Sequence, residues 1–83
     1  MYNVIISERA QRQLDKLPYD IQERILAVLE RVKIRPEAYF ERLVGEKDYR
    51  LRVGDYRVLA DIDRNKLIIS VTKIGHRKNI YKK

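Results

Sequence analysis

A tight β-hairpin is predicted by the segment Tyr49-Arg50-Leu51-Arg52-Val53-Gly54-Asp55-Tyr56-Arg57-Val58-Leu59-Ala60. Gly54-Asp55 is typical of a two-residue turn, because glycine readily adopts the positive φ that such turns require. Closing the chain there pairs Val53 with Tyr56, Arg52 with Arg57, Leu51 with Val58, Arg50 with Leu59 and Tyr49 with Ala60. Because side chains alternate between the faces of a strand, one face is largely apolar and the other carries Arg50, Arg52 and Arg57.

The predicted register places Arg52 directly opposite Arg57. Like charges in a cross-strand pair are destabilising, by a few tenths to about 1 kcal/mol. Guanidinium groups bind phosphate through two parallel hydrogen bonds, so we interpret the arginine face as an anion-binding surface. For Arg50 or Arg52 taken singly, the alternative is a solvated arginine whose stem covers apolar surface.

Length and composition limit the kinds of protein this can be. The 83 residues have the length of one small domain, 1–83. With no cysteine and one histidine, disulfides and thiolate or multi-histidine metal sites are excluded. No apolar run approaches the roughly 20 residues that span a bilayer, and no signal peptide is recognisable. We expect a cytoplasmic protein without a membrane partner.

The net charge of +7 is concentrated in the second half of the chain. Residues 1–45 hold eight Lys or Arg against seven Asp or Glu, whereas residues 46–83 hold eleven against five. The excess therefore lies on the segment that contains the arginine hairpin. This asymmetry favours a polyanionic ligand such as nucleic acid, and a merely soluble basic surface is the alternative.

The N-terminal half predicts a short strand followed by two helices. Residues 2–6 are β-rich, and Ser7 is a good N-cap for a helix that Pro18 ends. Asp20 and Glu23 resemble a capping box at the start of a second helix, whose apolar stripe runs until Pro36. Residues 35–47 are predicted to be a connector, pinned to the core by Tyr39, Phe40 and Leu43.

Three strands are predicted after the connector, at residues 48–53, 56–62 and 67–74. The second hairpin turns through residues 63–66 and pairs Ile62 with Leu67, Ala60 with Ile69 and Val58 with Val71. The predicted fold is α+β, with both N-terminal helices packed on one face of a twisted, mostly antiparallel sheet of about four strands. Its other face is expected to be concave and basic.

The chain after Gly75 is expected to extend the arginine surface. It leaves the last strand near the Gly54-Asp55 turn, so it can bring His76, Arg77 and Tyr81 towards the three arginines. Thr72 is expected beside Arg57, and the nearest acids are expected to be Glu46 and Asp48. Structural alternatives remain for His76, as an incidental histidine, and for Tyr81, as a residue packed on the sheet edge.

The whole chain resembles the RelE/ParE superfamily of toxin–antitoxin toxins. The resemblance rests on the order of one strand, two helices and three strands, and on three motifs: Leu43-x-Gly45, the arginine hairpin, and Gly75-His76-Arg77-x-x-Ile80-Tyr81. Each fragment alone is a weak signal, and the three together are strong.

The resemblance implies a ribosome-dependent mRNA endoribonuclease that uses neither metal nor cofactor. In such enzymes the RNA 2′-hydroxyl attacks the adjacent phosphate and expels the 5′-oxygen of the next nucleotide. By carry-over, Arg57 would stabilise the phosphorane, Arg77 would assist the leaving oxygen and Tyr81 would stack on or orient the nucleotide. The implied partners are a cognate antitoxin in a hetero-oligomer, the ribosome and mRNA.

The chain departs from RelE at Arg50 and Arg52, where RelE has lysines. Arginine stays charged at ordinary pH and cannot readily act as a base, although its charge can still stabilise a transition state. The base would then be His76, Glu46 or a ribosomal group. Two alternatives share the fold: a ParE-type toxin that acts on DNA gyrase without cutting RNA, and an inactive remnant that only binds its antitoxin.

Overall fold

The computed structural model describes residues 1–42 and 48–80. Its elements are β1 (Asn3–Ile6), α1 (Glu8–Asp15), α2 (Tyr19–Val32), a 3-10 turn (Pro36–Ala38), β2 (Phe40–Arg42), β3 (Tyr49–Val53), β4 (Tyr56–Asp63) and β5 (Ile68–His76). The α+β fold with both helices on one face of a sheet is confirmed. No helix in the described part of the chain is long and apolar enough to cross a bilayer.

The sheet has five strands in the order β1-β5-β4-β3-β2. β1 runs parallel to β5, and all other neighbours are antiparallel. The prediction of about four strands was short by one, because β2 lies in the segment interpreted as a connector. Three residues are too few to show the alternation that identifies a strand from sequence. Phe40 of β2 is buried as predicted, Tyr39 is exposed, and Leu43 lies outside the described residues.

The two helices begin differently from each other. The Ser7 hydroxyl accepts a hydrogen bond from the Ala10 amide at 3.1 Å, so the predicted N-cap of α1 is confirmed. α2 begins after Pro18 with no side-chain cap, so the predicted capping box of Asp20 and Glu23 was wrong. The side-chain Nε2 of Gln22 donates to the main-chain oxygens of Asp15 and Leu17 and satisfies the end of α1.

The core lies between the helices and one face of the sheet. The helices contribute Ala10, Leu14, Ile25, Leu29 and Val32, and the sheet contributes Phe40, Leu51, Val53, Val58, Ala60, Ile69, Val71 and Ile74. Six residues form the predicted apolar face of the hairpin. Leu51, Val53, Val58 and Ala60 are buried in this core, and Tyr49 and Tyr56 are half-buried against it. Because this face is committed to the core, the alternate residues must face away from the helices.

The first hairpin has the predicted register, and the second does not. All five predicted pairs between β3 and β4 are present, and Gly54 has a φ of +59°. Between β4 and β5, Ile62 pairs with Ile69 and Ala60 with Val71. Leu67 lies in the turn with a φ of +56°, and the Asp63 carboxylate accepts the amides of two other turn residues. Leu67, which was predicted to begin the last strand, therefore belongs to the turn.

An irregularity between Leu59 and Ala60 shifts the pairing again. Beyond it Val58 pairs with Ile74, although Ala60 pairs with Val71. The extra residue lets both Val71 and Ile74 reach the core, which strict alternation would not allow. Thr72 donates its hydroxyl to the Leu59 oxygen at 3.3 Å, so its predicted position beside Arg57 was wrong. Arg57 instead pairs with Gly75.

Beyond the end of β1, helix α1 and its N-cap residue provide the hydrogen-bond partners along that edge of β5. The last β1–β5 pair joins Ile6 and Val71, and the Ser7 amide then donates to the Val71 oxygen. Further along, the Gln13 side-chain oxygen accepts the Ile74 amide at 2.8 Å. A backbone amide that would otherwise lack a strand partner is thereby satisfied by a helix side chain.

Replacing Gln13→Ala should lower the free energy of unfolding by about 1 kcal/mol, because the part-buried Ile74 amide loses its acceptor. Urea denaturation measures this. Gln11→Ala is the matched control: Gln11 lies on the same helix and makes an exposed bond to Asp15, so its loss should cost only a few tenths of a kcal/mol. Equal losses in the two variants would contradict the role given to Gln13.

Candidate active site

Three arginines share the sheet face that the helices leave uncovered. Arg50 and Arg52 come from β3 and Arg57 from β4, and Arg52 pairs directly with Arg57. Arg50 and Arg57 are half-buried, and Arg52 is exposed. The predicted placement of the three arginines on one face is thus present, with the hairpin register as its cause.

A carboxylate from β2 lies among the arginines. Glu41 pairs with Arg50 across the strands, and Arg50 Nη2 donates to Glu41 Oε2 at 2.9 Å. The pKa of Glu41 is lowered from its ordinary value by this hydrogen bond, then by the charge of Arg52, with smaller effects from the charges of Arg50 and Arg57. A protein carboxylate therefore already occupies the field of the three guanidinium groups.

Glu41 is the acidic residue that sequence reasoning missed. The acids predicted nearest were Glu46, which lies outside the described residues, and Asp48. Glu41 was overlooked because its segment was interpreted as a connector, so no cross-strand partner could be assigned to it. In Phe40-Glu41-Arg42 a buried aromatic residue precedes an outward-facing acid, but three residues are too few to identify a strand from sequence.

Arg57 is anchored at the turn of the hairpin. Its Nη1 donates to the Gly54 oxygen at 2.8 Å and to the Tyr56 oxygen at 2.9 Å. These bonds hold one nitrogen of the guanidinium against the main chain. A side chain fixed in this way loses less conformational entropy when it binds an anion.

The turn after β5 brings Arg77 to the same end of the sheet. The Arg77 amide donates to the Asp55 oxygen at 2.8 Å, and Arg77 Nε lies 3.8 Å from Asp55 Oδ1. The Arg77 side chain is 56% exposed. The main-chain contact places Arg77 at the Gly54-Asp55 turn, where Arg57 is also anchored.

His76 lies on the opposite face from the arginines. It pairs directly with Tyr56, which packs against the core, and the two rings meet edge to face with centroids 5.4 Å apart. His76 Nδ1 accepts the Lys78 amide at 3.1 Å. The structure therefore does not bring His76 together with Arg50, Arg52 and Arg57. Tyr81 lies outside the described residues.

The described residues contain no candidate metal centre. In residues 1–42 and 48–80, no group of three or more His, Cys, Asp or Glu side chains is arranged to hold a metal ion. The arginine face carries three side chains that stay positively charged at any ordinary pH.

Comparison with known proteins identifies the family. The family "ParE toxin of type II toxin-antitoxin system, parDE" matches residues 4–81. This chain belongs to that toxin family. The predicted membership of the RelE/ParE superfamily is confirmed, and the protein is a toxin of a type II toxin–antitoxin system. No curated protein matches the sequence significantly.

Solved structures of RelE toxins resemble this toxin over almost its whole length. The RelBE complex of E. coli aligns with a TM-score of 0.79 and 25% identity, covering 92% of this chain and 96% of that one. RelBE2 of Mycobacterium tuberculosis aligns at 0.78 and 29%, covering 92% and 98%. The archaeal RelE–RelB complex of Pyrococcus horikoshii aligns at 0.77 and 26%, covering 94% and 97%. All three are toxin–antitoxin complexes.

The Glu41 carboxylate should titrate with a pKa below its ordinary value of 4.5, because nearby guanidinium groups stabilise its charged form. Since the folded-state pKa is lowered, the interaction is fully present at neutral pH and is lost as the pH falls through that value. Side-chain carbon chemical shifts of Glu41 across an acid titration measure it. Arg50→Gln should raise the midpoint, whereas Arg64→Gln, at the far end of β4, should leave it unchanged. A midpoint insensitive to Arg50 would contradict this account.

Proposed function

We propose that this toxin is a ribosome-dependent mRNA endoribonuclease that cleaves in the ribosomal A site without a metal ion. The observation that supports this most is the position of Glu41, an anion held in the field of Arg50, Arg52 and Arg57. Carboxylates and phosphates offer guanidinium groups the same kind of acceptor. A phosphodiester of the RNA would take the place of the Glu41 carboxylate, which lies on an exposed side chain and can move aside.

The proposed reaction is an internal transfer of the phosphate. The 2′-hydroxyl oxygen forms a bond to the adjacent phosphorus, and the bond from phosphorus to the 5′-oxygen of the next nucleotide breaks. The products are a 2′,3′-cyclic phosphate and a 5′-hydroxyl. A base must accept the 2′-hydroxyl proton, and the departing 5′-oxygen must gain one.

The arginines would stabilise the charge that develops during this transfer. Arg57, held at the turn by two carbonyl groups, would face the phosphorane, together with Arg50 and Arg52. Arg77, at the same turn, would stabilise the charge on the leaving oxygen. Preorganised charge aimed at a transition state is often the largest single catalytic contribution. Tyr81 would stack on or orient the nucleotide.

The arginines do not supply the base that must accept the 2′-hydroxyl proton. Arginine does not lose its proton at ordinary pH. The Nδ1 lone pair of His76 already accepts the Lys78 amide, and the ring lies on the face that packs against the core. His76 could accept a proton from RNA only after the turn that follows it had rearranged. We therefore propose that a ribosomal group completes the site, which accounts for dependence on the ribosome.

The proposal includes a cognate antitoxin. Three solved structures that are 25–29% identical to this chain are complexes of RelE toxins with their antitoxins. We propose that an antitoxin likewise inhibits this toxin in a hetero-oligomer, in the cytoplasm where ribosomes are found.

His76 and Lys78 offer a test of whether the histidine is the base or supports the turn. His76→Asn keeps a side-chain oxygen that can accept an amide two residues on, whereas His76→Ala removes the acceptor. We expect His76→Asn to cleave mRNA in ribosomes within about threefold of wild type, and His76→Ala to lose about fivefold, the equivalent of one hydrogen bond of about 1 kcal/mol. Loss of about 100-fold or more in both variants would identify His76 as a general base instead.

Arg57→Ala should abolish mRNA cleavage in a purified cell-free translation system, with a loss of at least about 100-fold in cleavage rate. Primer extension on the mRNA detects the cuts and maps them to the A site. Arg64→Ala is the matched control, because Arg64 is an exposed arginine in the turn at the other end of β4. The same RNA without ribosomes should be cut at least about 100-fold more slowly, since the base is missing. Rapid cutting of free RNA would contradict the ribosome requirement.

A gyrase-directed toxin is the second candidate, favoured by the ParE name of the matching family. It predicts intact mRNA together with accumulation of gyrase–DNA cleavage complexes. An inactive protein that only binds its antitoxin predicts normal translation and no such complexes. Both readouts can be made on the same preparation, so each outcome selects one of the three functions.

A further inference from the structure

A basic cleft lies next to the arginine face, between α2 and the end of β3. Its volume is about 320 Å³, and its lining combines three arginines and Gly54 with three apolar residues: Arg24, Ala27, Val28 and Arg31 of α2, and Arg52, Val53 and Gly54 of the hairpin. The pairing of β2 with β3 reaches only Leu51, so Arg52 and Val53 at the end of β3 have no partner in β2. The cleft lies between this end of β3 and α2.

The two helix arginines are spaced to line one side of the cleft. Arg24 and Arg31 are seven residues apart, so they lie about two turns apart on the same side of α2, roughly 10 Å along its axis. Both guanidinium nitrogens Nη1 and Nη2 of Arg24 lie 3.4 Å from the position that a Cβ on Gly54 would occupy. Arg24 thus closes the end of the cleft over the hairpin turn.

None of the three cleft arginines forms an ion pair within the described residues. All three of its charged lining residues are arginines. The ion pairs found in residues 1–42 and 48–80 involve Lys33, Arg50 and Arg77, and none involves Arg24, Arg31 or Arg52. Three like charges around a common space favour an anionic ligand.

Arg52 connects this cleft to the candidate active site. It lines the cleft and also lowers the pKa of Glu41 on the arginine face. An anion in the cleft and an anion beside Arg57 would therefore lie on either side of one arginine. A single continuous polyanion satisfies both positions better than two separate ligands do.

We propose that this cleft binds backbone phosphates of single-stranded RNA next to the nucleotide held by Arg50, Arg52 and Arg57. The inference rests on the proposed function in taking RNA as the polyanion. An acidic peptide is the other ligand of suitable charge. RNA is favoured because the cleft shares Arg52 with the arginine face, so that a ligand with regularly spaced phosphates can bind both surfaces at once.

The test measures RNA binding rather than cleavage. A fluorescein-labelled, 2′-O-methylated RNA of about 12 nucleotides, which cannot be cut, is titrated with the toxin at several KCl concentrations. Each phosphate contact with a single strand contributes about 0.7 to the slope of log K against log salt concentration. Arg24→Gln/Arg31→Gln should therefore lower the slope by about 1.4, and either single substitution by about half of that.

Two further variants control for charge and folding. Arg64→Gln/Lys66→Gln removes the same charge from the turn at the other end of β4 and should leave the slope unchanged within about 0.3. Arg24→Lys/Arg31→Lys keeps the charge and should keep the slope. Arg24 and Arg31 are exposed, so thermal unfolding should show the same cooperative transition in every variant.

Several results would overturn the inference. An equal drop in slope for the cleft variant and the Arg64/Lys66 control would show a non-specific effect of net charge. Weakened binding of polyglutamate with unchanged binding of RNA would assign the cleft to an acidic peptide.

The outcome is also separable from that of the proposed function. If wild-type toxin cuts mRNA on ribosomes and the cleft variant binds RNA normally, only the cleft assignment fails. If the cleft variant loses RNA binding but the wild type cuts no mRNA, only the nuclease assignment fails.

Discussion

The register of the β3–β4 hairpin is the constraint on which the site depends. Its alternate residues form much of the sheet's contribution to the core, with Leu51, Val53, Val58 and Ala60 all buried. A slip by one residue would turn these side chains to solvent and bury the arginines, at a cost of several kcal/mol. The hydrophobic effect thus holds Arg52 opposite Arg57 although the two charges repel each other. The placement of the basic groups follows from the core behind them.

Glu41 explains how the toxin tolerates this repulsion before any ligand binds. The carboxylate pairs with Arg50 and lies in the field of Arg52 and Arg57, so it offsets part of their mutual repulsion. The same position makes it a competitor for an incoming phosphate. An exposed acid on a three-residue strand can yield to a multivalent polyanion more easily than a buried one, because its own interaction is screened by solvent.

At the end of β5, two neighbouring residues lie in different environments. The Arg77 main chain is attached to the Gly54-Asp55 turn at the end of the arginine face, whereas the His76 ring packs against Tyr56 on the core side. His76 also accepts the Lys78 amide within the turn that carries Arg77. In this arrangement the histidine supports the conformation of the segment, and the arginine presents charge. A site whose arginines supply fixed charge but no base is consistent with the ribosome dependence that we propose.

The sequence alone determined the helices, the first hairpin and its three outward arginines, since these depend on local periodicity and on one glycine turn. It also determined the excess of positive charge in the second half of the chain. Only the tertiary structure decided the second hairpin, where a turn with Leu67 at positive φ and an irregularity at Leu59 and Ala60 displaced every predicted pair.

The acid beside the arginines, the face occupied by His76 and the cleft between α2 and β3 were likewise decided by the tertiary structure. Each of them depends on which distant segments meet: β2 with β3 for Glu41, β4 with β5 for His76, and α2 with the end of β3 for Arg24 and Arg31. Contacts between distant segments cannot be read from the spacing of residues along the chain. They are fixed by packing against the shared core, and that is the physical reason the site could be predicted only in part.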